Sequence, residues 1–229
     1  MKPTYPVVLY PTSQVAIKPE IRFGTKFKMK GHSELVAYAK IDRLVLDDIQ
    51  ADLAVRIDRH WYEPDFAYSN SEKGIYIDIE VDEPYAANGK PTHYMVDERK
   101  SADCLRDNRF QKAGWYVVRF SEEQIFRQTR QCLLVIYELL VQIGCLDRIP
   151  EVLSKTDRIT PSYRWSMPEA MQLKAMNYRE HYLGYNPMDM GARGYLACTA
   201  LIMPIMFRSI WRKKLRKEML AQLYDYFIK

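Results

Sequence analysis

A chain of 229 residues holds one well-buried core with an appendage, or two small cores, and calls for no separate cofactor-sized domain. Hydrophobic residues at 48%, aromatics at 13% and the lack of any repeat or low-complexity tract exclude a disordered chain. A formal charge of +5 implies a polyanionic partner only where basic residues cluster, and Cys104, Cys132, Cys145 and Cys198 lack zinc-site spacing and read as reduced core residues.

The opening MKPTYPVVLYPT mixes prolines and polar residues with short apolar runs, unlike a secretory leader, so a cytoplasmic protein is expected. Residues 1–31 read as an extended arm: Pro3, Pro6, Pro11 and Pro19 forbid a long helix, and IRFGTKFKMK alternates like a strand with lysines on one face. Those lysines either touch nucleic acid or protect a solvated sheet edge. From His32 a helix is expected, with Ser33 as N-cap, Glu34 in its first turn and Leu35, Val36, Ala39 and Ile41 on its apolar side.

ADLAVRID, YEPDFAY and GIYIDIEVDEPY follow as successive strands of one sheet, with SNSEKG as a turn between the last two. Residues 102–113 read as a short helix ended by Gly114, and WYVVRF as a buried strand. Ser121 and Gln124 form a capping box that opens one long apolar helix, EEQIFRQTRQCLLVIYELLVQIG, closed by Gly144. This order predicts an α/β protein. DRIPEVLSKTDRITPSYR has little periodicity and divides a core at 32–146 from a helical C-terminal region at 147–229. In that region Ser166 and Glu169 form a second capping box, whose helix ends near Gly184.

The chemistry concentrates in GIYIDIEVDEPY. Alternation puts Ile75, Ile77, Ile79 and Val81 on one face of the strand and Asp78, Glu80 and Asp82 on the other. Alternate residues lie about 6 to 7 Å apart along a strand. Three carboxylates there repel one another, and partial burial adds a desolvation cost. A cation must compensate, and magnesium, held by one or two carboxylates plus water and phosphate oxygens, fits best. Asp65, at the start of the preceding strand, would share that ion. The other reading is a solvent-facing edge strand, although such strands usually mix charge signs.

These residues carry a resemblance. Pro64-Asp65, Glu80-Val81-Asp82, a helix with arginines (LRDNRFQKAG) and the strand WYVVRF resemble the PD-(D/E)XK nuclease superfamily, closest to very-short-patch-repair-like small endonucleases. Those branches often show Ile-Glu-x-Asp-Gly-x-x-His and end in Gly-x-x-Val-x-Arg-Phe, here Gly114 to Phe120; the similarity runs from about Ser33 to Gly144. It implies a restriction-endonuclease-like mixed β-sheet flanked by helices, with a helical C-terminal extension here, and a magnesium-dependent endonuclease in which manganese substitutes. By that resemblance Asp65 and Glu80 are metal ligands, the Val81 carbonyl adds a contact and Glu34 reaches in from the first helix.

The match has departures. Asp82 stands where the superfamily has lysine, which favours a second metal or a water-mediated ligand. Glu83 replaces the glycine, and the insertion PYAANGKPT displaces the histidine to His93. His93 is either a proton-transfer group or a plain loop residue. Lys90 either supplies the missing cation or caps an ordinary turn.

The metal would lower the pKa of a water and neutralise charge on the pentacovalent transition state. Arg106, Arg109 and Lys112 share a helix face that either meets a DNA or RNA backbone or is merely solvated. Further on, YLACTALIMPIMF spans thirteen residues and contains Pro204. A bilayer needs roughly 20, so a buried helix is expected and no transmembrane segment. The tail RSIWRKKLRKEMLAQLYDYFIK carries Arg212, Lys213, Arg216 and Lys217 beside Trp211 and Leu215. It suits DNA, a membrane surface or a protein partner. Two functions fit the whole: a DNA endonuclease in defence, restriction, repair or transposition, or a catalytically silent nuclease-like binding or assembly module.

Overall fold

The computed structural model describes residues 2–13, 18–23, 49–50, 53–86, 88–96 and 101–183. Glu34 and its helix, Cys198, YLACTALIMPIMF and the basic tail lie outside these residues. The chain divides into two compact units, Met1–Asp189 and Met190–Lys229, and all described residues fall in the first.

In chain order the strands are β1 (Thr4–Tyr5), β2 (Val7–Leu9), β3 (Glu20–Phe23), β4 (Ile49–Gln50), β5 (Leu53–Ile57), β6 (His60–Tyr62), β7 (Phe66–Asn70) and β8 (Ile75–Asp82). Helix α1 (Ala102–Lys112) leads to β9 (Tyr116–Ser121), and α2 (Glu122–Arg127) and α3 (Thr129–Gln142) follow. After them come β10 (Ser162–Tyr163), α4 (Met167–Ala175) and α5 (Tyr178–Leu183). The result is a mixed α/β fold. Its main sheet has the order β2-β9-β8-β7-β4, in which β8 and β9 run parallel and the other pairs antiparallel.

Local sequence explains much of this. Between β7 and β8 the Lys73 amide donates to Asn70 Oδ1 at 2.9 Å, and Gly74 takes φ +65°, a conformation without penalty only for glycine. Ser101 caps α1 through the Cys104 amide, and Gly114, at φ +85°, turns the chain from α1 into β9. Both predicted capping boxes form: Ser121 with Gln124, and Ser166 with Glu169, whose Oε2 accepts the Ser166 amide at 2.8 Å.

The main sheet is covered on both faces. Phe66, Tyr68, Ile77, Ile79, Val118 and Phe120 pack against Leu133, Ile136, Tyr137 and Leu140 of α3. Tyr76, Ala67 and Val117, on the other face, pack with Phe110 of α1 and Trp115. ADLAVRID was expected in the same sheet as the two strands after it. Instead β5 sits in a separate three-stranded sheet, β3-β5-β6, because its apolar Leu53, Val55 and Ile57 belong to that second cluster.

The single helix expected from Glu122 to Gly144 is broken at Gln128, at φ −128° and ψ 40°. There Thr129 Oγ1 donates to the Ile125 carbonyl at 2.6 Å, and Gln128 Oε1 accepts the Thr160 amide at 2.9 Å. Side chains thus take over polar groups that a continuous helix would pair. Likewise the helix from Ser166 stops at Ala175, since Asn177 turns left-handed at φ +50° before α5.

Strand pairing crosses the divisions expected at 31/32 and 146/147. β2 pairs with β9 at one edge of the main sheet, and β1 pairs with β10. α5 is tied to α2 by a buried fork: Arg179 Nε and Nη2 donate to Glu122 Oε2 and Oε1, each at 2.6 Å, and Tyr182 donates to the same carboxylate. Truncating one partner strands a buried charge. Arg179→Met should therefore cost roughly 3–5 kcal/mol in urea denaturation. Loss of less than about 1 kcal/mol, the range of an exposed pair, would mean that the fork is solvated in solution. Among the described residues no helix is long and apolar enough to cross a membrane. Cys104, Cys132 and Cys145 are free thiols.

Candidate active site

The parallel step from β8 to β9 through α1 lays one helix across the acidic face of β8. Asp78, Glu80 and Asp82 are 0%, 8% and 0% exposed, so the face is buried and not a solvated edge. Burial pushes the Asp78 carboxyl above the usual carboxylate range, against the pull of Arg106.

The compensating cations come from the chain itself. Arg106, from α1, donates through Nη1 to Asp78 Oδ2 at 2.8 Å and through Nη2 to Asp78 Oδ1 at 2.9 Å and Glu80 Oε1 at 2.7 Å. Arg119, from β9 and 1% exposed, donates through Nε and Nη2 to Asp82 Oδ2 and Oδ1 at 3.0 and 2.6 Å, and through Nη1 to Asp107 Oδ1 at 2.9 Å. Tyr5 adds its hydroxyl to Asp82 Oδ2 at 2.8 Å. Asp82 is thus held between an arginine fork and a phenol, and the metal-ligand role expected of it has no support in this arrangement.

Asp65 and Glu80 are different. Phe66 faces Ile79 across the β7-β8 ladder, so Asp65 comes beside Glu80. Asp65 Oδ2 accepts the Val81 amide at 2.8 Å, and the Asp65 amide donates to Glu80 Oε1 at 3.2 Å. Two hydrogen bonds across the strands therefore set these carboxylates together.

His93, at φ +45°, sits at the end of β8. Its Nδ1 lies 3.2 Å from Asp103 Oδ2 and 3.3 Å from Asp82 Oδ1, and its Nε2 is 3.8 Å from Glu83 Oε2. Burial lowers its pKa, but the Asp103 hydrogen bond and the charges of Asp82, Glu83 and Asp103 outweigh burial and raise it to about 9. His93 is then an imidazolium at neutral pH, a proton donor and not a base. A raised folded pKa means that its stabilisation is complete below the ordinary 6.5 and is lost as pH climbs through about 9. Melting temperature should fall across that window, and His93→Gln should flatten the fall; an equal slope in both proteins would leave His93 uncharged in the folded state.

The expected nucleic-acid face of α1 is divided. Arg106 is turned inward onto Asp78 and Glu80, Arg109 donates to the Tyr62 hydroxyl, and Lys112 is exposed. Lys90 is exposed in its turn, where its amide donates to Asn88 Oδ1 at 3.0 Å. Glu34, Arg212, Lys213, Arg216 and Lys217 lie outside the described residues.

Arg119 entered only as the arginine of the Gly-x-x-Val-x-Arg-Phe pattern, with no role, and Asp103, Asp107 and Tyr5 were not singled out from the sequence. A signal existed for Arg119: within WYVVRF it falls on the same face as Val117 and Ser121, one charge in an otherwise apolar strand. Among the described residues no group of three or more His, Cys, Asp and Glu is arranged to hold a metal ion. The Asp65 and Glu80 pair nonetheless meets the smaller demand of magnesium, which takes one or two carboxylates and completes its shell with water and phosphate oxygens. No known protein family, curated protein or solved structure matches the chain.

Proposed function

We propose that this chain is a cytoplasmic, divalent-metal-dependent endonuclease of the PD-(D/E)XK type, with a restriction-endonuclease-like core, a helical C-terminal extension and DNA as substrate. The observation that carries the reading is the hydrogen-bonded Asp65 and Glu80 pair, formed where β7 meets β8 at the start of a β-α-β step. A bound magnesium or manganese ion would supply an activated water and offset charge on the phosphoryl group. Asp65 and Glu80 would hold that ion. Arg106 orients Glu80 and offsets the charge of Asp78 behind it, which is the charge-offsetting part of the role that the superfamily's lysine would play. His93, protonated and aimed by Asp103, would donate a proton to the leaving oxygen. Asp82 and Arg119 keep His93 in place and take no part in the chemical step. The basic tail and Lys112 would bind the nucleic-acid backbone.

The test is incubation of the whole chain with circular, linear and single-stranded DNA and with RNA, with and without magnesium or manganese. Metal-dependent nicking or cleavage is expected on at least one DNA form, and EDTA should abolish it. Binding without cleavage under every metal condition would overturn the reading. It would favour the catalytically silent module, for which one observation speaks: Arg106 and Arg119 already neutralise the acidic face.

A further inference from the structure

A cavity of about 430 Å³ opens between the ends of β8 and β9, the start of α2, and α4 and α5. None of the roles assigned above uses it. Its walls are largely apolar and planar, built from Trp165, Tyr178, Tyr182, Leu173 and Met176. Its charged lining is mostly acid: Asp82, Glu122, Glu123 and Glu169 against Lys2. Asp82, Glu122 and Glu169 are paired with Arg119, Arg179 and Lys2, so this lining offers a phosphate no unpaired cation among the described residues and admits an uncharged flat ring, which stacks on aromatic side chains whatever its sequence.

The polar groups at the rim narrow the choice. Glu123 accepts the Tyr178 hydroxyl at 2.6 Å and Arg127 Nε at 3.2 Å, yet a carboxylate offers about four lone-pair sites and Glu123 remains 27% exposed. A carboxylate accepts from the exocyclic amino group of cytosine, and adenine and guanine carry the same kind of donor. Uracil and thymine lack that amino group and present a single ring N–H flanked by two carbonyls, which a carboxylate repels. Position matters too, because Asp82 lines the cavity and lies two residues from Glu80 on one strand, about 6 to 7 Å away. A base beside the phosphate held at Glu80 can reach it.

We infer that this cavity receives the unstacked nucleobase next to the scissile phosphate and, through Glu123, selects a base with an exocyclic amino group over uracil or thymine. The inference rests on the nuclease reading for its biological meaning, but it is testable without cleavage. Free cytidine, adenosine and uridine are titrated against the whole chain in EDTA and followed by saturation-transfer NMR. Cytidine and adenosine should bind about tenfold tighter than uridine, the scale of one well-placed base contact. Met176→Trp, which fills the cavity from a position 54% exposed, should abolish their binding. Glu123→Gln, which replaces half of the acceptor pair by a donor, should erase the preference and keep the binding. Equal affinity for the three nucleosides, or affinity unchanged by Met176→Trp, would overturn the inference even if the protein cleaves DNA. Selective binding by a protein that cuts nothing would leave the base site standing and remove the nuclease.

Discussion

Asp65→Asn is expected to abolish cleavage while leaving the fold intact. The asparagine carbonyl can still accept the Val81 amide that Asp65 Oδ2 accepts at 2.8 Å, so the strand crossing is kept. What disappears is the negative charge that would hold the ion. A metal ion contributes several kcal/mol to stabilising a phosphoryl transition state. Each 1.36 kcal/mol is tenfold in rate, so a loss of roughly 10³-fold is expected. The check is initial cleavage rate at saturating magnesium beside a urea melt of the same preparation. Wild-type cleavage by Asp65→Asn would remove the pair from the mechanism.

The second large effect is on stability. Arg119→Met should destabilise the protein by roughly 3–5 kcal/mol, because it leaves the buried Asp82 without its arginine fork, held by the Tyr5 hydroxyl and His93 alone, and deprives Asp107 of its partner. Chemical denaturation reads this as a lower midpoint at an unchanged slope. Arg119→Lys keeps the charge but not the planar fork that meets both oxygens of Asp82, so it should fall between the two. A cost near zero for Arg119→Met would mean that water reaches Asp82 in solution. Combining Arg119→Met with Asp82→Asn should recover part of the loss, since the stranded charge goes with it.

What was legible in the sequence was what local spacing encodes. The alternation of Ile75 to Asp82 gave strand β8 and its acidic face, and the Ser121 and Ser166 boxes gave the starts of α2 and α4. Gly114 marked the end of α1, whereas the Ser101 cap at its start was not read from the sequence. The electrostatics of the face were not legible, because Arg106 and Arg119 lie far along the chain and only the β8-α1-β9 step brings them to Asp78, Glu80 and Asp82. From β8 alone the acids demand an outside cation; in the fold, arginines meet most of that demand. The separate sheet around β5 was hidden for a similar reason, since β3 and β6 are short and β3 pairs across a long sequence gap. At Gln128 the long helix breaks through hydrogen bonds to Ile125 and Thr160, with no proline or glycine to announce it.

The pairing of β2 with β9 sets an order of events during synthesis. Val7–Leu9 leaves the ribosome early but can join Val117–Arg119 only once β9 has emerged. Until then Val7–Leu9 waits as an unsatisfied strand, and pairing of such distant segments is intrinsically slow. If the N-terminal strand were clipped away, YVVRFS would become an open sheet margin of apolar residues, a template for another chain. Proteolytic trimming of the first ten residues should therefore turn a monodisperse preparation into one that self-associates, and it also takes the Tyr5 hydroxyl away from Asp82.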